Sequence, residues 1–306
     1  MIYDYNIIRV TRNERNNILK SLNVSLEDFN EMVGILAKWI IQSNLPEEES
    51  SRKKIEIFLF NTKMNMEKTK RCLENYYTLR TEHSNFFGKM IPNTNLYNEV
   101  KKISRPIVMP DLTSDLCRIV IFRLEKCEDL QCDAEFYQLL TMMGVELRLD
   151  RGDCFYSHIL IIDLSYFEPK HLLKYTPRVC SFYAKLFLAI NLRLKNIHIV
   201  NPSTIIDKVL TFFKLFLPSK FHGKLVIHSS YESLYAFIPK NYLPSNYGGT
   251  QISIEKIQDR WCEEIEKNEA LFEKLLLLKC QSTNNNEVST NNVFGVNGSF
   301  RKLTVD

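Results

Sequence analysis

An α/β sheet led by a purely helical segment is the architecture this sequence predicts, on three observations. Short β-branched or apolar runs at 117–124, 155–164, 197–201 and 225–229 are separated mostly by helical periodicity, the pattern of an α/β sheet. The run from Phe155 to Leu164 is apolar nearly throughout, as expected of a strand covered on both faces. Upstream, residues 25–82 repeat apolar positions at helical spacing.

Residues 1–24 read as a loosely packed lead-in with one short helix from Arg12 to Leu22. Ser25-Leu26-Glu27-Asp28 resembles a capping box, and Leu26, Phe29, Val33, Leu36 and Ile40 then mark one buried helical face. Leu45-Pro46 and the Glu-Ser run behind it form a solvated turn, after which Lys54 to Asn61 and Met66 to Glu82 give two more helices. From Phe86 to Asp115 the chain reads as loop, with prolines at 92, 106 and 110.

Alternation along 117–124 puts Cys117, Ile119 and Ile121 on one face of the first strand. Asp133 to Leu149 reads as a helix carrying Phe136, Leu139, Leu140, Met143 and Leu147, and Arg151-Gly152-Asp153 as a turn. Glu168 starts a helix that Pro177 restarts, with Thr176 as N-cap and Pro at the first helical position. Val179, Phe182, Tyr183, Leu186, Phe187 and Ile190 form its apolar side.

The strand Ile197-His198-Ile199-Val200 stops at Asn201-Pro202, because proline has no N–H for a ladder. Ser203 or Thr204 caps the helix that follows, and Pro218 ends it. At 100° per residue Ile205, Ile206, Val209, Leu210, Phe212, Phe213, Phe216 and Leu217 fall in one arc. That face fits an ordinary core helix and a lid over an apolar cavity equally well. Then come a strand at 224–228, a short helix at 230–237, a Pro-, Tyr- and Gly-rich run to Thr250 and a charged helix at 253–279 carrying Trp261. The remainder, 281–306, is rich in Asn, Ser and Thr and reads as a disordered tail.

With 45% hydrophobic and 25% charged residues, the 306-residue chain has the balance of a soluble globular protein. A net charge of +4 is too small for a dedicated nucleic-acid binder. The start lacks a basic-then-apolar signal pattern, and no run approaches the ~18 apolar residues of a membrane span. None of the eight cysteines forms a CxxC pair, so reduced thiols in a cytoplasmic protein are expected. His83, His158, His171, His198, His222 and His228 show no HxxxH or HExxH spacing, and GxSxG, phosphate-loop and GxGxxG motifs are missing. No catalytic residue, metal ligand or cofactor is therefore assigned. Asp163 ends a strand, where open α/β sheets often place acids.

Four segments stand in one order: Ile161-Ile162-Asp163-Leu164, Tyr175-Thr176-Pro177, Arg193 to Asn201 (RLKNIHIVN), and Leu243 to Thr250 (LPSNYGGT). In order and spacing they resemble the CRAL-TRIO lipid-binding family, and Glu74 to Arg80 is similar to the end of its N-terminal helical domain. The resemblance implies a mixed sheet flanked by helices with a mobile lid helix at 203–217, preceded by an all-α subdomain. It divides the chain into a lead-in at 1–24, a helical subdomain at 25–95, a lipid-binding domain at 96–250, a C-terminal helix at 251–280 and the tail. Asp163 then takes a structural place. The cavity wall it implies comprises Phe136, Leu140, Met143, Leu160, Ile162, Phe182, Leu186, Ile190 and Ile197, and the lid contributes Ile206, Val209, Leu210, Phe213 and Leu217. Arg193, Lys195, Lys220 and Lys224 match basic residues that contact phosphoinositide headgroups in some members. Three positions depart from the family pattern: Phe60 and Thr62 stand where members with an FLRAR-like segment carry Arg, and Asn191 stands where Pro is usual.

The function so implied is binding of a small hydrophobic ligand, such as a retinoid, tocopherol, carotenoid or other isoprenoid, and its transfer between membranes by a monomer that touches the bilayer peripherally. Burying the eight lid side chains is worth roughly 12–24 kcal/mol as an upper bound, so the lid is expected to stay shut in water and to open where its face can enter a bilayer. Two other readings are phosphatidylinositol or other phospholipid exchange, and a non-catalytic adaptor that uses the fold to bind protein.

Overall fold

The computed structural model describes residues 3–5, 7–43, 45, 46, 51–127, 132–202, 206, 207, 210, 211 and 219–278. Most of the expected lid helix and the whole tail at 281–306 lie outside the described residues.

The lead-in is more firmly built than expected. A hairpin pairs β1 (Tyr3–Tyr5) with β2 (Ile8–Val10), and Ile7, Ile8 and Val10 are buried. Helix α1 (Arg12–Ser21) starts at a capping box in which the Thr11 hydroxyl takes the Glu14 N–H and the Glu14 carboxylate takes the Thr11 N–H. Helices α2 (Leu26–Gln42), α3 (Ser51–Asn61) and α4 (Met66–Glu82) follow, and Phe29, Val33, Leu36 and Ile40 face inward as the spacing predicts, whereas Leu26, at the first helical position, is 50% exposed. Asn61 and Thr62, in the FLRAR-like stretch, are buried and hydrogen-bonded inside the protein, Asn61 to the Ile190 carbonyl and Thr62 to Thr69.

The stretch expected as loop from Phe86 to Asp115 holds helices α5 (Ser84–Phe87) and α6 (Asn95–Lys101) and a fifth strand, β3 (Ile107–Leu112). Pro106 and Pro110 masked it. β3 is an edge strand whose register shifts between Val108 and Leu112, the kind of place where a strand tolerates proline. It runs antiparallel to β4 (Cys117–Arg123). β5 (Ser157–Asp163), β6 (Leu194–Val200) and β7 (Leu225–Ile227) extend β4 in parallel, in the order β3-β4-β5-β6-β7. The sheet is thus mixed and flanked by helices.

Between the strands lie α7 (Leu139–Arg151), reached through a 3₁₀ turn at Ala134–Phe136, then α8 (Pro169–Lys174) and α9 (Pro177–Ala189). Thr176 caps α9 by accepting from the Val179 N–H, with Pro177 at the first helical position, as the sequence predicts. After β7 come α10 (Tyr231–Tyr235), α11 (Ile254–Lys267) and α12 (Glu269–Leu276). The single helix expected at 253–279 is two, broken at Asn268. Trp261 of α11 is fully buried, and its indole N–H donates to the Val108 carbonyl at 3.3 Å.

The LPSNYGG run earns its glycines. Gly248 sits at φ 70°, and a Cβ there would strike the Tyr235 hydroxyl. A Cβ on Gly249 would overlap the Leu243 carbonyl. The close turn lets the Gly249 N–H reach the Pro244 carbonyl and the Tyr235 hydroxyl reach the Tyr247 carbonyl.

Buried ions tie the helical segment to the sheet. Arg80 of α4 meets Glu146 of α7 at 2.6 Å with both side chains sealed from water. The Tyr76 hydroxyl donates to the same carboxylate at 2.7 Å, Lys54 donates to Tyr76 at 3.2 Å, and Arg80 also donates to the Leu275 carbonyl of α12 at 2.8 Å. Removing the central acid leaves Arg80 buried without its counter-ion, so Glu146→Ala is expected to cost about 3–5 kcal/mol in urea unfolding. Loss under about 1 kcal/mol would show the network to be peripheral to stability.

Candidate ligand site

The two faces of the parallel sheet differ. On one, Ile119 and Ile121 of β4, Ile159 and Ile161 of β5, and His198 and Val200 of β6 are buried, all but closed to water. Leu234, Ile238, Leu243 and Tyr247 belong to the same core cluster as most of them, and the Tyr247 hydroxyl donates to Asp163 at 2.7 Å. On the other face the register lines up two apolar rungs across four strands: Val120-Leu160-Ile197-Leu225 and Phe122-Ile162-Ile199-Ile227. Here Phe122, Leu160, Ile162 and Leu225 are only partly buried, and Ile227 is 46% exposed. β5 is hydrogen-bonded on both edges, so Leu160 and Ile162 keep accessible surface only because nothing packs tightly over them.

The cover over these rungs comes from α9 and the segments before and after β7. Phe187 of α9 meets Phe221 edge-on at 5.5 Å, and both join Leu160, Ile162, Leu194, Ile197 and Leu225 in one cluster. Ile206 and Leu210 pack on Leu164 and Ile199 together with Ile162 and Phe167. Those two residues are the described part of the expected lid set; Val209, Phe213 and Leu217 lie outside the described residues.

The structure thus gathers Leu160, Ile162, Ile197, Ile206 and Leu210 at one apolar surface. Phe136, Phe182, Leu186 and Ile190 stand further along the wall in the main core, where Phe182 meets Phe86 at 4.8 Å and Phe136 stacks on Phe86 at 6.1 Å. Leu140 and Met143 are 0% exposed and packed into that core. The resemblance passed over Phe122, Phe187, Ile199, Phe221 and Leu225. Ile199 could have been found from its two-residue offset to Ile197; the others depend on strand register and helix placement.

The basic residues are already engaged. Arg193 lies 3.8 Å over the Tyr156 ring, Lys195 is paired with Asp115, and Lys224 donates to the Leu194 carbonyl at 2.5 Å. The Lys220 side chain lies outside the described part. They sit at the N-terminal ends of β6 and β7. At the opposite end Asn201, at φ 52°, donates to Asp163 and Ser165 at 2.8 Å, and its amide lies 2.9 Å from the Tyr231 hydroxyl, fixing where the chain leaves the sheet.

Among the described residues no three His, Cys, Asp or Glu side chains converge to hold a metal ion, and no helix is long and apolar enough to cross a membrane. A separate open cleft of 420 Å³ lies among Val24, Met32, Ile35 and Met66 with Asp28 and Glu31 lining it, away from the sheet.

Residues 104–249 match the CRAL/TRIO domain family. The mouse (Mus musculus) alpha-tocopherol transfer protein-like protein is 38% identical over 60 residues, 19% of this chain and 18% of that protein. Clavesin-1 of Rattus norvegicus is 34% identical over 94 residues, 30% of this chain and 27% of that protein. The matched segments therefore span little more than a quarter of these relatives at most. Among solved structures, the crystal structure of Sfh5 aligns with a TM-score of 0.47 at 14% identity, over 79% of this chain and 96% of that one.

Behind the apolar rungs, the strands on either side of the expected lid segment are joined by a histidine pair. His198 Nδ1 lies 2.8 Å from His228 Nε2, and His228 Nδ1 lies 2.9 Å from Ser233 Oγ. Phe237 covers both rings, at 5.2 and 5.6 Å. Burial, with help from His228 and Lys195, pushes His198 down to about 4. Folded His198 thus stays neutral where an unfolded histidine, near 6.5, takes up a proton. The full contribution is present above pH ~6.5, and roughly 3 kcal/mol is lost as pH falls from about 6.5 to about 4. Urea unfolding across that window should show this loss beyond that of His198→Asn; parallel pH profiles for the two proteins would refute it.

Proposed function

Through residues 104–249 the chain is a member of the CRAL-TRIO family, and on that footing we propose that it holds a small, largely apolar ligand against the two rungs of its sheet and carries it between membranes. The observation that supports this most is the accessibility of Leu160 and Ile162 on a central strand whose reverse side is sealed. An apolar face left partly open inside a fold favours an apolar occupant, because each CH₂ removed from water contributes about 0.8 kcal/mol. No charged residue stands on either rung, which favours an isoprenoid-like molecule over a phospholipid whose headgroup would need polar partners.

Segment 203–217 is the proposed lid, since Ile206 and Leu210 bear on Ile199 and Leu164 at the rim of the outer rung. Nearby chemistry suits a bilayer. Leu173 of α8 is 84% exposed, with Lys170, which also pairs with Glu168, and Lys174 beside it on the same short helix and Arg178 in the first turn of α9. A leucine inserted among acyl chains and lysines facing anionic headgroups would each add on the order of 1–2 kcal/mol to docking.

Native mass spectrometry of gently purified protein, followed by solvent extraction, is expected to release one neutral lipophile per chain. An empty protein that takes up no offered lipid would defeat the proposal. Ile162→Trp, which fills the space over the rungs, is expected to lower ligand uptake at least about tenfold with little change in melting temperature. For docking, Leu173→Asp should weaken sedimentation with anionic vesicles about tenfold or more while leaving ligand capacity intact. Unchanged sedimentation would move the membrane contact elsewhere.

A further inference from the structure

The helical segment carries an open cleft of 420 Å³ that the sheet does not use. Asp28, Glu31, Met32 and Ile35 of α2 line it, together with Met66 at the start of α4 and Val24 from the link before α2. Its floor is apolar and unfinished: Ile35 is 48% exposed, and Val24, Met32 and Met66 are only partly buried. Its rim is acidic. Glu56 and Glu67 of the neighbouring helices are neutralised, by Arg15 and by Lys70, whereas Asp28 and Glu31 pair with no lysine or arginine among the described residues. An apolar floor beside unneutralised carboxylates fits a segment that carries apolar and basic side chains next to one another.

Such a segment stands in this chain's own tail. Within 281–306 the only basic residues are Arg301 and Lys302, side by side and flanked by Phe300 and Leu303, in a stretch otherwise rich in Asn, Ser and Thr. The tail also departs from the right place. Leu278, the last described residue, packs on the cluster of Phe29, Val33 and Leu36, the same cluster that Val24, Met32 and Met66 border. The roughly 22 residues from Leu278 to Phe300 can span about 70 Å when extended and average about 25 Å as a free coil, against about 26 Å for the whole 17-residue α2.

We propose that residues 300–303 dock in this cleft, Phe300 and Leu303 on Met32, Ile35 and Met66, and Arg301 and Lys302 on Asp28 and Glu31. The ion pairs are exposed and fix the register, while burial of the two apolar side chains supplies most of the attraction. Tethering holds the segment at an effective concentration of about 1 mM, so a local affinity of about 0.1 mM leaves only about one chain in ten open. The cleft is then occupied from within, and another basic and apolar segment reaches it only in competition with residues 300–303.

The test uses the full chain and trypsin, which cuts after Arg301 and Lys302. Ile35→Asp changes an exposed position and spoils the apolar floor, so release of the terminal piece, read by mass spectrometry, is expected to be about tenfold faster than in wild type at an unchanged melting temperature. Phe300→Ser alters the segment rather than the cleft and should speed cutting to the same degree. A carbodiimide should join Lys302 to Asp28 or Glu31 in wild type and fail to do so in Ile35→Asp. Equal rates of cutting in wild type and both variants overturn the proposal, as does linkage of Lys302 to acids elsewhere. Mixing ordinary with isotope-labelled chains covers the remaining case: links between the two kinds would put the tail of one copy in the cleft of another and overturn docking within the chain.

Discussion

Everything in this molecule that bears on the proposed ligand site depends on β5 being hydrogen-bonded along both edges. That pairing pins its pleat, so Ile159 and Ile161 must face one layer, Leu160 and Ile162 the other. The order β3-β4-β5-β6-β7 never reverses, and crossovers of a common hand then fall on a single side of the sheet. Contacts agree: Arg148 of α7 reaches His158, which shares a face with Leu160, and Phe187 of α9 reaches Leu160 itself. The reverse side is left to the chain after β7, which closes it with aliphatic and tyrosine side chains. One side is filled by a continuous run of close packing, and the other by separate connections that need not meet.

Charge is used here for assembly. Asp153 is fully enclosed with Arg118 at 2.5 Å and Arg148 at 2.7 Å; burial pushes its carboxyl up, and the two guanidinium groups overcome that and hold it below the usual range. Arg80 and Glu146 do similar work between α4 and α7. These groups face one another rather than the apolar rungs, although Arg118 stands opposite His158 on the same face of the sheet, one step before Val120 and Leu160.

Much of this was legible in the sequence. Thr176-Pro177 announced the start of α9, and the Gly248-Gly249 pair announced a turn that no side chain fits. β3 was hidden because Pro106 and Pro110 read as loop until an edge position and a register shift are known. Leu140 and Met143 show the limit for the site: helical periodicity says that a face is buried, and says nothing of whether a solid core or an open floor lies beneath it. Phe122 and Leu225 show the converse, since their membership of the rungs follows from inter-strand register, which is a tertiary property.

The boundary of the matched domain at Gly249 is not a boundary of folding. Beyond it, Trp261 plugs the seam between Pro106 and Gly144, and the Leu275 carbonyl takes one arm of Arg80. Before it, α4 supplies the cation that Glu146 requires. A recombinant fragment trimmed to 104–249 would keep every residue of the family match, yet expose a tryptophan-sized gap and a lone buried acid. Inheritance and autonomy are drawn along different lines in this chain, and any exchange of its matched part with that of a relative would have to carry the helices on both sides across as well.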